Sequence, residues 1–230
     1  MRSILVDWLI DVSVHFEVTD DTLHIAVGLI DRVLGKMEID RAKLQLVGVT
    51  CMKLADVLNE RSKEYYRQEN SIEYSYITAD EYTPAEVVQM EKLILSKLDF
   101  RIITPNILTF LKVYRDKLQV DEETYLIAAY LADLMLLCYE AIAFRPSVIA
   151  SAVLYLACCC TQKFRDVEAC SLQGRYTEQE FRNTVDFVKE VWLDARTSPF
   201  FSRYESINHK FYAISPFNIW PPATNNQPWI

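Results

Sequence analysis

The chain predicts an all-α fold arranged as two tandem helical halves, and three observations carry that expectation. Helix-start signals recur along the whole length, each a Ser, Thr or Asp cap followed by Pro or Glu. Between them, apolar residues return at intervals of three and four, the period of a helix with one buried face. Alternating runs typical of strands are scarce, and only 4 Gly occur in 230 residues, so few positions can take a left-handed turn cheaply.

The elements follow in order. Helices are expected over 1–16, 21–36, 41–58, 78–81, 84–98, 105–118, 122–139, 146–163, 166–172, 178–194 and 199–210. Thr83-Pro84-Ala85-Glu86 is the strongest start, with a cap, Pro at the first helical position and Glu three residues after the cap. Thr78 with Glu81 and Thr177 with Glu180 repeat the box; Thr104-Pro105 and Ser198-Pro199 give the cap-plus-Pro form. Asp121 precedes Glu122 and Glu123, which suit the positive end of a helix. The stripes are Leu23, Val27, Ile30, Val33, Leu34 and Met37, then Leu44, Val47, Cys51, Leu54, Ala55 and Leu58. Val87, Met90, Leu93, Ile94 and Leu98 form a third, and Ile127, Tyr130, Leu131, Leu134, Met135 and Cys138 a fourth. Val148 to Cys160 is apolar nearly all round, as a central helix wrapped by others would be. The polar, tyrosine-rich run from Arg61 to Ser75 is expected as an extended loop, holding Lys63, Tyr65, Tyr66, Arg67 and Tyr74. The expected halves are 1–102 and 103–214, with 215–230 an extended tail on the surface.

Composition removes several function classes. A net charge of −8 opposes general nucleic-acid binding and binding to anionic membranes. There is no run of about 18 apolar residues to span a bilayer, and Asp7 and Asp11 inside the amphipathic opening segment argue against a signal peptide. No Gly-rich phosphate loop, catalytic triad or metal-ligand spacing occurs, so neither enzyme activity, cofactor nor metal is expected. His15 near Glu17, and His24 near Asp20 and Asp21, read as helix-surface or cap residues. Cys51, Cys138, Cys158, Cys159, Cys160 and Cys170 lack CxxC spacing, and neighbours on a helix diverge; they read as small buried hydrophobes of a reducing, intracellular protein, nuclear, cytoplasmic or both.

The opening segment, Met1-Arg2-Ser3-Ile4-Leu5-Val6-Asp7-Trp8-Leu9-Ile10, carries apolar residues on more than one side. Met1, Leu5 and Trp8 align as a strip that either is buried in a central helix or forms a docking groove.

Met1 to Leu9 resembles the cyclin-box signature of A- and B-type cyclins. Matches continue in register through Thr22-Leu23-His24, Leu29-Ile30-Asp31-Arg32 and Lys43-Leu44-Gln45-Leu46-Val47-Gly48. Later come Tyr76-Ile77-Thr78, Met90-Glu91 with Leu98, and Pro146-Ser147-Val148-Ile149-Ala150, so the resemblance spans roughly 1–215. It implies two tandem five-helix cyclin boxes and a non-catalytic subunit that binds and activates a cyclin-dependent kinase. Arg2 and Asp31 match a structural pair tying the first helix to the second. Met1, Ile4, Leu5, Trp8, Arg41, Leu44 and Gln45 match a docking patch for substrates or inhibitors with Arg-x-Leu-like motifs, with Asp11 where the family has a Glu one turn after the Trp. Leu54, Val57, Leu58, Glu60, Glu91 and Leu95 match kinase-contact positions.

The match departs at Val57, where the family carries a lysine paired with the acid at Glu91, and at Asn59, which replaces an acid. Either Lys53, one turn earlier, reaches Glu91 or the kinase instead, or the interface is more hydrophobic and the partner atypical or weakly held. The loop from Arg61 is longer than in A-type members, which reads as a tolerated insertion or as an added partner contact. The chain opens on the signature without the helix that commonly precedes it in the family; the expectation is a cyclin core lacking that helix's kinase contacts. The alternative function is a cyclin-fold adaptor or scaffold, transcription-factor-like or kinase-independent, without kinase activation.

Overall fold

The computed structural model describes residues 1–59, 69–163, 176–197 and 205–211. These are helical with no strand among them, and the chain divides into two compact units, Met1–Thr104 and Pro105–Ile230. The first unit holds α1 (Arg2–His15), α2 (Asp20–Leu34), a 3-10 turn (Arg41–Lys43) running into α3 (Leu44–Asn59), α4 (Glu69–Tyr76) and α5 (Pro84–Lys97). The second holds α6 (Ile107–Leu118), α7 (Glu122–Leu137), a 3-10 turn (Tyr139–Ala143), α8 (Pro146–Thr161), α9 (Glu178–Thr197) and α10 (Glu205–Lys210).

In the first unit α3 is the axis. Every residue from Leu46 to Asp56 is buried, and α1, α2, α4 and α5 all pack against it. Burial of each large aliphatic side chain here stabilises the fold by about 1.5–3 kcal/mol. The sequence pattern suggests a one-sided stripe, yet from Leu46 to Asp56 the helix is buried all round, because Lys53 and Asp56 are satisfied inside the unit. Gly48 permits the closest approach of α1: a Cβ at this position would lie 2.8 Å from Leu5 Cδ1.

Caps decide where helices begin. Thr83 makes the expected box: its hydroxyl accepts from the Glu86 amide at 3.3 Å, and its own amide donates to Glu86 Oε2 at 2.8 Å. The box expected at Thr78 does not form. Thr78 donates its hydroxyl back to the Ser75 carbonyl at 2.6 Å, and Ala79 and Asp80 adopt left-handed φ of 56° and 58°, so 78–81 is a turn. The short helix lies instead at α4, within the stretch expected as loop. It is anchored by Tyr74, which is fully buried, packs against Phe16 with ring centroids 4.6 Å apart and tilted by 40°, and donates to Asp56 Oδ2 at 2.9 Å. The expected Thr104-Pro105 start moves to Asn106, whose side chain accepts from the Thr109 amide at 2.9 Å while Thr109 Oγ1 accepts from the Asn106 amide at 3.2 Å.

In the second unit α8 packs against α6, α7 and α9. Its apolar stretch is buried from Val148 to Cys159 except at Tyr155. α7 is buried without a break from Ile127 to Leu137 and stops at Cys138, whose ψ of 118° is extended. Thr177 caps α9 by accepting from the Glu180 amide at 3.2 Å, and Glu180 itself pairs with Arg145 at 2.8 Å. The expected helix at 166–172, the first residues of 199–210, Cys170 and the tail 215–230 lie outside the described residues.

His24 is not the surface or cap residue expected; it is buried on the core stripe of α2 with Leu23 and Val27. Cys51, Cys158 and Cys159 are buried free thiols, and Cys138 and Cys160 are half-buried. Burial pushes Cys51 well above the ordinary thiol range, with the Asp31 carboxylate adding to it, and pushes Cys160 up to about 12. These thiols stay protonated and behave as packing groups.

Two predictions follow from packing and capping. Gly48→Val should overpack the α1–α3 contact and cost about 1–3 kcal/mol, seen as a lower urea midpoint; an unchanged midpoint would mean the helices do not meet there. Asp121 is held down at about 2, chiefly by the Lys163 hydrogen bond with help from the Thr124 hydroxyl and amide. Its contribution is therefore complete above the ordinary carboxyl range near about 4 and fades as pH falls toward the depressed value. The stability gap between wild type and Asp121→Asn should shrink between pH ~4 and ~2, which urea midpoints across that range would read; a constant gap contradicts it.

Candidate functional site: two faces of the first helical unit

The first face is the junction of α3 and α5. Lys53 Nζ lies 2.5 Å from Glu91 Oε2, with the lysine side chain 6% exposed and the glutamate 24%. One turn past Lys53 on α3 comes half-buried Val57, then Leu58, which is 43% exposed; Leu54 is buried beneath them. One turn past Glu91 on α5 comes half-buried Leu95. The backbone amide of Phe100 donates to the Leu95 carbonyl at 2.9 Å, and the Phe100 ring is 73% exposed. No local pattern marks Phe100 for exposure; its φ of 56° turns the chain outward there. Glu60 lies outside the described residues, as do Lys63, Tyr65, Tyr66 and Arg67. Asn59 donates to Thr22 Oγ1 at 2.9 Å and to Thr19 Oγ1 at 3.1 Å, which ties the end of α3 to the start of α2.

The second face is on α1. Arg2 donates to both oxygens of Asp31, Nε to Oδ1 at 2.5 Å and Nη2 to Oδ2 at 2.8 Å, fixing α1 on α2 with the two-pronged geometry of a strong ion pair. Leu5, aligned with Met1 and Trp8 on a strip open to either burial or docking, is only 7% exposed because it seats on Gly48. The accessible strip is Met1, Ile4, Trp8 and Asp11, spaced by three and four residues, with Ile4 65% exposed and Trp8 half-buried. Leu44 and Gln45, both half-buried, precede Gly48 by one turn on α3, and Arg41 is exposed on the 3-10 turn before them. Leu5 is thus a floor beneath the strip.

Among the described residues, no three of His, Cys, Asp or Glu group to hold a metal ion, and no helix is long and apolar enough to cross a membrane.

Two all-helical boxes in tandem, the first with an apolar helix edge beside an internal ion pair, define the class. The family description "Cyclin, N-terminal domain" matches residues 1–103 and "Cyclin, C-terminal domain" matches residues 105–217. The chain belongs to the cyclin family. Cyclin-B2-1 of Oryza sativa subsp. japonica is 36% identical over 193 residues, covering 81% of this chain and 44% of that protein. Cyclin-A2-1 of Arabidopsis thaliana is 35% identical, covering 91% and 48%, and G2/mitotic-specific cyclin-B of Hydra vulgaris is 35% identical, covering 93% and 56%. The chain spans about half the length of these relatives. In fold it is similar to a viral cyclin from herpesvirus saimiri, with a TM-score of 0.68, 22% identity and 83% of each chain covered. It is also similar to a chain of the yeast RNA Pol II CTD kinase CTDK-1 complex, with a TM-score of 0.65, 13% identity, and 98% and 84% covered.

The ion pair makes an asymmetric prediction. Glu91→Ala strands an ammonium that water barely reaches and should cost up to about 3 kcal/mol. Lys53→Met leaves a carboxylate that is a quarter exposed, and should cost less. Urea melts of the two variants check the order; the reverse order would mean that Lys53 is not held by Glu91.

Proposed function

We propose that this chain is a regulatory subunit that binds and activates a cyclin-dependent Ser/Thr kinase, and that its α1 strip recruits substrates or inhibitors carrying Arg-x-Leu-like motifs. The observation that carries the reading is the exposed apolar edge of the first unit, Leu58 with half-buried Val57 and Leu95 and the outward Phe100 ring, built on the α3–α5 junction. It is a surface on which a partner's amphipathic helix can lie. Membership of the cyclin family and the presence of the same fold in a kinase complex support it.

The chain supplies no catalytic group in this scheme. It binds the kinase better when the kinase's mobile helix is swung inward, where the kinase's own Lys–Glu pair can form. Activation is then a shift of population toward that state, set by the difference in contact between the two conformations. At the second face, Met1, Ile4 and Trp8 over the Leu5 floor offer apolar surface for the leucine of a docking motif, with Leu44 and Gln45 as the neighbouring wall. Asp11 supplies charge for the motif's arginine, one methylene shorter than a glutamate. The site of action is intracellular, in the nucleus, the cytoplasm or both.

The test mixes the chain with a panel of cyclin-dependent kinases and measures complex formation and phosphate transfer. Wild type should do both with at least one kinase. Leu58→Arg should weaken the complex by about 30-fold or more, as loss of a central apolar anchor does. Trp8→Ala should lower transfer to substrates with an Arg-x-Leu motif and spare those without it. A complex without transfer favours a scaffold, and DNA binding without any kinase complex favours an adaptor; either overturns the proposal.

A further inference from the structure

Both charges in the C-terminal half of α3 are spent inside the first unit. Lys53 Nζ lies 2.5 Å from Glu91 Oε2, and Asp56, fully buried, accepts from the Tyr74 hydroxyl at 2.9 Å. What the helix leaves accessible beyond them is Val57, Leu58 and the neutral Asn59, whose amide is turned back onto Thr19 and Thr22. To Val57 and Leu58, α5 and the turn after it add Leu95 and Phe100, also apolar. Glu91 is the acid nearest this edge on α5, and an internal cation already neutralises it.

We propose that Lys53 acts as a positioning residue that holds Glu91 within the fold and so makes recognition at the α3–α5 edge apolar, selecting a kinase helix that offers aliphatic rather than charged side chains. The inference rests on the kinase-binding reading above. Two physical terms support it. A carboxylate released at the rim of an apolar contact must be desolvated when a partner covers it, which opposes binding. A carboxylate already paired with a buried ammonium at 2.5 Å carries little net charge to be covered. A lysine placed at position 57 would find Glu91 already occupied by Lys53 and would bring an unpaired ammonium to the apolar face.

The experiment measures affinity for an activating kinase in a small set of variants. Lys53→Met should weaken the complex about tenfold by freeing the Glu91 carboxylate, and adding Glu91→Gln to it should recover most of that loss. A purely structural role for Lys53 predicts no such recovery. Val57→Lys, whose surroundings are half-exposed, provides an arm that does not disturb the buried pair; it should also weaken the complex about tenfold. Equal or tighter binding by Val57→Lys, or a Lys53→Met/Glu91→Gln chain that binds worse than Lys53→Met, overturns the inference and leaves kinase binding standing. Failure of wild type to bind any kinase overturns the function proposal and this inference with it.

Discussion

A helix whose middle is buried on every side has no solvent face there on which to place a charge, and that constraint shapes the first unit. α3 is enclosed by α1, α2, α4 and α5. Its polar residues must therefore find partners within the fold. Thr50 returns its hydroxyl to the Leu46 carbonyl at 2.6 Å, Asp56 takes the Tyr74 hydroxyl, and Lys53 takes Glu91. Each solution recruits a particular neighbour. Tyr74 must come inward, so α4 has to exist where it does, and Glu91 must face α3, so α5 has to be rotated as it is. The arrangement of four helices around a fifth is in this sense a set of answers to the polar residues of one segment.

The second unit meets the same constraint with different chemistry. α7 and α8 are both enclosed, yet they carry Asp133 and Ser151 at buried positions. Asp133 receives Lys210 at 2.6 Å, which seats α10 on α7 together with the edge-on contact of Phe211 and Tyr130. Ser151 receives the Tyr176 hydroxyl at 2.7 Å and passes its own to the Ser147 carbonyl at 3.1 Å. A short helix with few residues of its own to bury is thus tied to α7 by a charge pair and a ring contact. No pattern within 205–210 announces where that helix attaches, because the partner aspartate lies in another helix far away in sequence.

What could be read from the residues separates by range. Caps and helical period act within four or five residues, so most helix positions, the all-round burial of α8 and the Thr83 start are visible in the chain. The errors come where a competing local group, or a distant one, overrides the apparent signal. Thr78 has the letters of a capping box, but the two left-handed residues after it end the helix instead. Asn106 outcompetes Thr104 as a cap because Thr109 can answer it from both sides. Leu5 shares its spacing with Met1 and Trp8, which leaves burial and docking both open, and only the missing side chain at Gly48, in a different helix, draws it into the core and leaves Ile4 outside. Phe100 is the reverse case, its exposure being set by a backbone turn and not by its hydrophobicity.

The α5 helix shows how a local signal reaches the candidate site. Thr83 and Glu86 fix the first turn, and Pro84 presets the backbone that follows. With the start fixed, the period places Val87, Met90, Ile94 and Leu98 inward, all buried. Glu91 and Leu95 then fall on the border between buried and exposed, the only place from which one residue can hold Lys53 while the other remains available to a partner. Beginning the helix one residue later would leave the sequence of α5 intact, yet it would weaken the box that sets its phase against α3. The edge on which partner binding is proposed therefore depends on a hydroxyl and a carboxylate more than one helical turn away from it.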